Sequence, residues 1–212
     1  MSRYYLAWLL ILLAAVGTAV AYPDMPATMP THWGPGGDPD RYGPKAIALF
    51  IVPALMIFMT ILFWLLPKLE RANTKKRIKE SALSSILMVL LLGLFALQVF
   101  IIGYGYGFEW NLSTVLGPII GLLFVAIGNY MPRLGPKLSY GPGFKPHSEP
   151  MDEPAWRSTN RWTSYAFVIG GLILVLTAFM PSGSQFPVFL TVVILVGLSP
   201  AISAYLYRQR VK

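Results

Sequence analysis

The chain has no cysteine among its 212 residues. Disulfides, thiolate metal sites and a cysteine nucleophile are therefore excluded. Charge is scarce as well. Asp, Glu, Lys and Arg make up 12% of the residues, against about 25% in a soluble domain. There are only two histidines. The strings that mark common enzyme classes are missing too. There is no His-Glu-x-x-His, no Gly-x-Ser-x-Gly, no P-loop and no pair of intramembrane aspartates. No DNA- or RNA-binding motif occurs, so the net charge of +8 needs another explanation. No cofactor motif is present, and no cofactor or metal is expected.

What the chain does have is apolar length. Hydrophobic residues make up 55% of it, and its mean hydropathy is +0.59. Six continuous apolar stretches stand out, at about 4–22, 46–66, 82–102, 112–131, 162–180 and 186–207. Each has close to the ~20 residues a helix needs to cross hydrocarbon. None contains Asp, Glu, Lys, Arg or His. The runs are continuous and not alternating, which selects helices over barrel strands. The sequence thus predicts an all-α fold: one polytopic bundle of six transmembrane helices.

The basic residues set the expected orientation. Of the 17 Lys and Arg, 15 fall on alternate sides of the apolar stretches. Loop 67–81 carries six, loop 132–161 five and the tail after Tyr207 three. The exceptions are Arg41 and Lys45, both in loop 23–45. Cytoplasmic loops carry the Lys/Arg excess, so both termini are expected in the cytoplasm. The positive charge is then juxtamembrane, suited to anionic lipid. The first stretch also has signal-peptide features, with Arg3 ahead of it and Ala19-Val20-Ala21 at its end. Its length and the closely following Pro23 favour retention as a span.

Candidate chemistry concentrates in the loops. Loop 23–45 is rich in Pro and Gly, which argues against a helix or a long strand and for a compact turn-rich cap. Tyr22, Met25, Met29, Trp33 and Tyr42 give that cap packing residues. His32 with Asp38 and Asp40 can be read as metal ligands, completed by Asp24 or Glu109. The spacing matches no standard zinc site, and turn capping by the aspartates with His32 bonded to loop backbone is the preferred reading. His147 with Glu149, Asp152 and Glu153 is a second such cluster. Gln98 and Asn129 lie in or near spans and need hydrogen-bond partners there. Gly117 and Gly121 form a small-xxx-small pair that permits close helix approach. Pro53, Pro118 and Pro200 lie inside spans. Pro154 stands where a helix leading into the fifth span would start.

Two passages carry a resemblance. Pro30-Thr31-His32-Trp33-Gly34, followed by Gly37-Asp38-Pro39-Asp40, resembles the extracytoplasmic motif of the DUF1648 module, which often precedes an SdpI-type domain. Ile127-Gly128-Asn129-Tyr130-Met131-Pro132, with the later Trp156-Arg157-Ser158-Thr159-Asn160-Arg161 and Gly170-Gly171, resembles the SdpI domain itself. The resemblance implies residues 1–66 as a DUF1648-like module of two spans and their loop. Residues 67–212 would be an SdpI-like domain of four spans. It implies a non-enzymatic protein of the bacterial cytoplasmic membrane that confers immunity to, or senses, an extracellular toxin peptide. It also implies capture of a cytoplasmic transcription repressor. The family's Arg-Thr-Pro-Trp stretch is replaced here by Gly143-Phe144-Lys145-Pro146-His147.

On that reading the expected ligand-binding residues are His32, Trp33, Asp38, Asp40, Glu109, Trp110 and Asn129. Expected contacts to lipid or a cytoplasmic partner are Lys75, Lys76, Arg77, Lys79, Trp156, Arg157, Asn160 and Arg161. The alternatives are a small permease or lipid-handling protein, using Gln98 and Asn129, and a metal-dependent membrane enzyme.

Overall fold

The computed structural model describes residues 4–71, 80–133 and 153–211. The order of elements is α1 (Tyr5–Ala21), β1 (Thr28–Trp33), β2 (Pro39–Pro44), α2 (Lys45–Arg71), α3 (Glu80–Gly105), α4 (Leu112–Tyr130), α5 (Glu153–Leu176) and α6 (Ser182–Val211). Short 3-10 turns follow α1, α4 and α5. All six helices are long and apolar enough to cross a membrane. The predicted spans therefore hold, and α2, α3, α5 and α6 extend beyond them. Pro154 does sit in the first turn of α5, as its lack of an N–H allows.

The packing is the inverse of a soluble protein's. Along α1, Ala7, Ile11, Ala14, Thr18 and Ala21 face inward. Leu6, Leu9, Leu12, Leu13, Val16 and Val20 face outward and are about half exposed or more. Small residues let helices approach, and large ones are left for lipid tails. No span has more than 33% of its apolar window buried against the protein. An exposed apolar surface of that extent requires a bilayer.

Buried side chains form two clusters. The first joins α1, α2 and α3 with the β1–β2 segment, around Ala7, Ile11, Leu49, Met56, Leu91 and Phe100. The second joins α4, α5 and α6 around Leu174, Val192 and Val196. Within it α4 and α5 are the most closely apposed pair of helices. A Cβ at Gly121 would lie 2.5 Å from the Gly171 carbonyl oxygen, and one at Gly171 equally close to that of Gly121. Glycine at both positions brings two backbones into contact. Asn160 donates to the Met131 carbonyl at 2.6 Å and Ser164 to that of Gly128 at 2.6 Å, extending the seam.

Two prolines inside helices are compensated by neighbours. Pro53 has no N–H for the carbonyl of Leu49, four residues earlier. That buried oxygen accepts instead from Gln98 Nε2 at 3.0 Å. Gln98 also donates to Thr18 Oγ1 at 2.8 Å, so one side chain on α3 ties α1 and α2. Pro200 leaves the Val196 carbonyl in the same position, and Ser199 Oγ donates to it at 2.7 Å. Membrane helices tolerate proline where side chains re-satisfy the freed backbone in this way.

Candidate functional site

Loop 23–45 is a compact cap, as its composition predicts, but it contains a short antiparallel hairpin. Its prolines do not prevent this, because both strands of a two-stranded sheet are edges and need donate on one side only. The register pairs Thr28 with Pro44, Met29 with Gly43 and Pro30 with Tyr42, and becomes irregular on either side of His32.

Three sets of contacts fix the hairpin to the helices. Met25 and Met29 are buried and lie over Gly105 at the end of α3, where a side chain would displace them. Trp33 packs edge-on against Phe100 and Tyr104, with ring centroids 5.7 and 6.3 Å away. At the base, Lys45 Nζ donates to the carbonyls of Tyr22 at 2.8 Å and Met25 at 3.1 Å. It also sits 4.5 Å from the centre of the Tyr22 ring. Lys45 is one of the two bases that break the alternating charge pattern, and it serves a local structural need.

A further attachment is at the hairpin tip. Gly37 is buried with φ +83°, a conformation that favours glycine. Asn111 donates from Nδ2 to the Gly36 carbonyl at 2.7 Å and accepts from the Ser113 N–H at 2.9 Å. The Leu112 N–H donates to the Gly37 carbonyl at 3.1 Å. Asn111 is the N-cap of α4. One amide thus caps a helix of the second cluster and holds the hairpin of the first. A Cβ on Gly37 would collide with it.

What this end offers is acidic and aromatic. His32 Nδ1 and Asp40 Oδ1 lie 2.6 Å apart, with the side chains 58% and 50% exposed. Asp24, Asp38 and Glu109 are exposed, as is Arg41. Phe108 and Trp110 stack with centroids 5.3 Å apart, and both are about half exposed. Trp33 is partly buried, and its indole N–H is buried with no hydrogen-bond partner among the described residues. Among the described residues no three His, Asp or Glu gather at one point. His32 and Asp40 therefore form a pair, without the further ligands the metal reading requires. The cluster around His147 and the bases Lys75, Lys76, Arg77 and Lys79 lie outside the described residues.

The remaining predicted site residues are elsewhere. Asn129 is exposed on α4, where it lines a groove of about 570 Å³ against α3. Trp156, Arg157, Asn160 and Arg161 lie on the first turns of α5, at the end opposite the hairpin. Arg157 and Arg161 are exposed, Trp156 is half-buried and Asn160 is buried. The sequence reading missed Gly37, Lys45 and Asn111. Asn111-Leu-Ser before an apolar run does carry an N-cap signal, but its second bond, to Gly36, is long-range.

The family described as Domain of unknown function (DUF1648) matches residues 9–57. Over 210 residues the chain is 23% identical to "Immunity protein SdpI" of Bacillus subtilis (strain 168), covering 99% of this chain and 98% of that protein. An "Uncharacterized protein" of Archaeoglobus fulgidus is 38% identical over 51 residues, 24% of this chain and 27% of its own length. No solved structure matches. The resemblance to SdpI-type proteins with an N-terminal DUF1648 module therefore extends along nearly the whole chain. With six membrane-length helices, the chain is a multi-pass membrane protein.

Proposed function

We propose that this chain is a non-enzymatic immunity protein that meets an extracellular antimicrobial peptide at its hairpin end. Full-length likeness to an immunity protein supports the class. The single observation that carries the mechanism is the hairpin fixed across both helix clusters. It presents His32, Asp38 and Asp40, and the α3–α4 connector bonded to its tip through Asn111 presents Phe108, Glu109 and Trp110. A cationic amphipathic peptide complements it, with carboxylates for its charges and exposed rings for its apolar face.

In this reading both termini and the basic loops are cytoplasmic. Lys75, Lys76, Arg77 and Lys79 meet anionic lipid or a cytoplasmic repressor, and residues 1–66 and 67–212 are the two sequence modules. Pre-organisation lowers the ordering cost of binding, and a peptide held on the cap is kept from the bilayer.

Expression in a sensitive bacterium tests this directly. The inhibitory dose of the cognate peptide should rise. The Phe108→Ala/Trp110→Ala variant should lose on the order of tenfold or more in peptide affinity. Unchanged sensitivity across a panel of cationic peptides, with the protein folded in the membrane, refutes the proposal.

A second reading has one observation in its favour. The α3–α4 groove runs from Ser85, Asn129 and Tyr130 to Gly93 and Ile119, the middle of both helices. Its walls are otherwise apolar, and Gln98 lies outside it. That favours lipid handling over a polar permease path. Flipping of a labelled lipid by the purified protein in liposomes would select it.

A further inference from the structure

We propose that a slot between α5 and α6, at the end opposite the hairpin, seats one anionic phospholipid of the cytoplasmic leaflet. The inference rests on the orientation given above and concerns a different part of the molecule from the peptide surface.

The slot encloses about 420 Å³, within the roughly 300–1,000 Å³ of small-molecule sites. Its lining is graded along the helix axes. Ser158 and Trp162 on α5, with Ser203 and Tyr207 on α6, form the part nearest the helix ends. Ala166 and Leu195 form the deeper part. The helices are antiparallel, so most of the hydroxyls and the indole lie toward the helix ends with Ile202 and Leu206 among them, Ser199 lies about a turn deeper, and Ala166 and Leu195 are innermost. That is the order of a phospholipid, headgroup outward and acyl chain inward.

Charge selects the headgroup. Arg157 and Arg161 each precede a lining residue on α5, and both are exposed. Arg208, Arg210 and Lys212 follow Tyr207 in the sequence. Basic side chains beside a membrane surface attract anionic lipid, and an arginine fork matches a phosphate. Trp162 and Tyr165 pack edge to face, with centroids 6.0 Å apart, as interfacial aromatics at headgroup depth do.

The test is native mass spectrometry of the full chain, extracted in mild detergent and exchanged against equal phosphatidylglycerol and phosphatidylcholine. One phosphatidylglycerol per chain should be retained. Arg161→Gln should lower its preference over phosphatidylcholine about fivefold, the value of one basic side chain at a membrane surface. Ala166→Trp fills the slot and should abolish retention, and Ser203→Leu serves the same purpose if that variant does not fold. Equal retention of the two lipids, or undiminished retention in the filled slot, overturns the proposal. Toxin protection is read separately in cells. A wild-type chain that retains both lipids equally yet protects cells removes this inference alone. Retained lipid without protection removes the immunity reading alone.

Discussion

Gln98 gives both of its amide hydrogens to other helices, and Pro53 explains one of them. Without Gln98, the Leu49 carbonyl is buried with neither a backbone nor a side-chain donor. Gln98→Leu should therefore cost about 1–3 kcal/mol, the penalty of an orphaned buried acceptor. Adding Pro53→Ala restores an N–H at the right position and should recover much of that loss. Denaturation of the four proteins in detergent gives the coupling; strictly additive effects would show that the two sites do not communicate. The residues themselves were visible in the sequence, Gln98 as a polar group needing partners and Pro53 as a helix proline. Their relation was not, because the bond that links them, from Gln98 to the Leu49 carbonyl, spans 49 positions and depends on how α2 and α3 are rotated.

At the level of elements, α4 and α5 meet through glycine. Gly121→Leu places a side chain where the Gly171 carbonyl lies, and overpacking of this kind costs about 1–3 kcal/mol. Gly17→Ala is the control, since nothing lies within 4 Å of a Cβ there. It should raise helix propensity and leave the unfolding midpoint unchanged or slightly higher. A Gly121→Leu midpoint equal to wild type would mean that the seam is looser than described. Gly117 and Gly121 announce such a seam by their spacing, whereas the partner Gly171 is fixed only by tertiary structure. The hairpin was less legible still. Pro30, Pro39 and Pro44 read as strand breakers, and it is the two-stranded sheet, with no further strand beside it among the described residues, that makes them acceptable. At its tip, Asn111→Ala should cost about 1 kcal/mol through the lost cap. It should also speed amide exchange at Gly37 and Leu112, read by hydrogen–deuterium exchange.

For the whole molecule, hydropathy was sufficient to give the spans. Six spans follow from apolar length, and the alternation of Lys and Arg predicts which connectors share a side. The structure accounts for the exception at Lys45, whose ammonium is held by the carbonyls of Tyr22 and Met25. The absence of cysteine makes orientation easy to measure, because any thiol introduced is unique. Glu109→Cys should react with an impermeant maleimide in intact cells, and Lys76→Cys only after permeabilisation. Labelling of both in intact cells would refute the orientation.

Asn111 has a mechanical consequence. The same amide bolts the hairpin tip and starts α4, so a visitor cannot pry that corner upward without also loosening the first turn of α4. Force applied at Gly36 is delivered to a rod that runs the depth of the bilayer, and the backbone contact at Gly121 and Gly171 passes it sideways to α5.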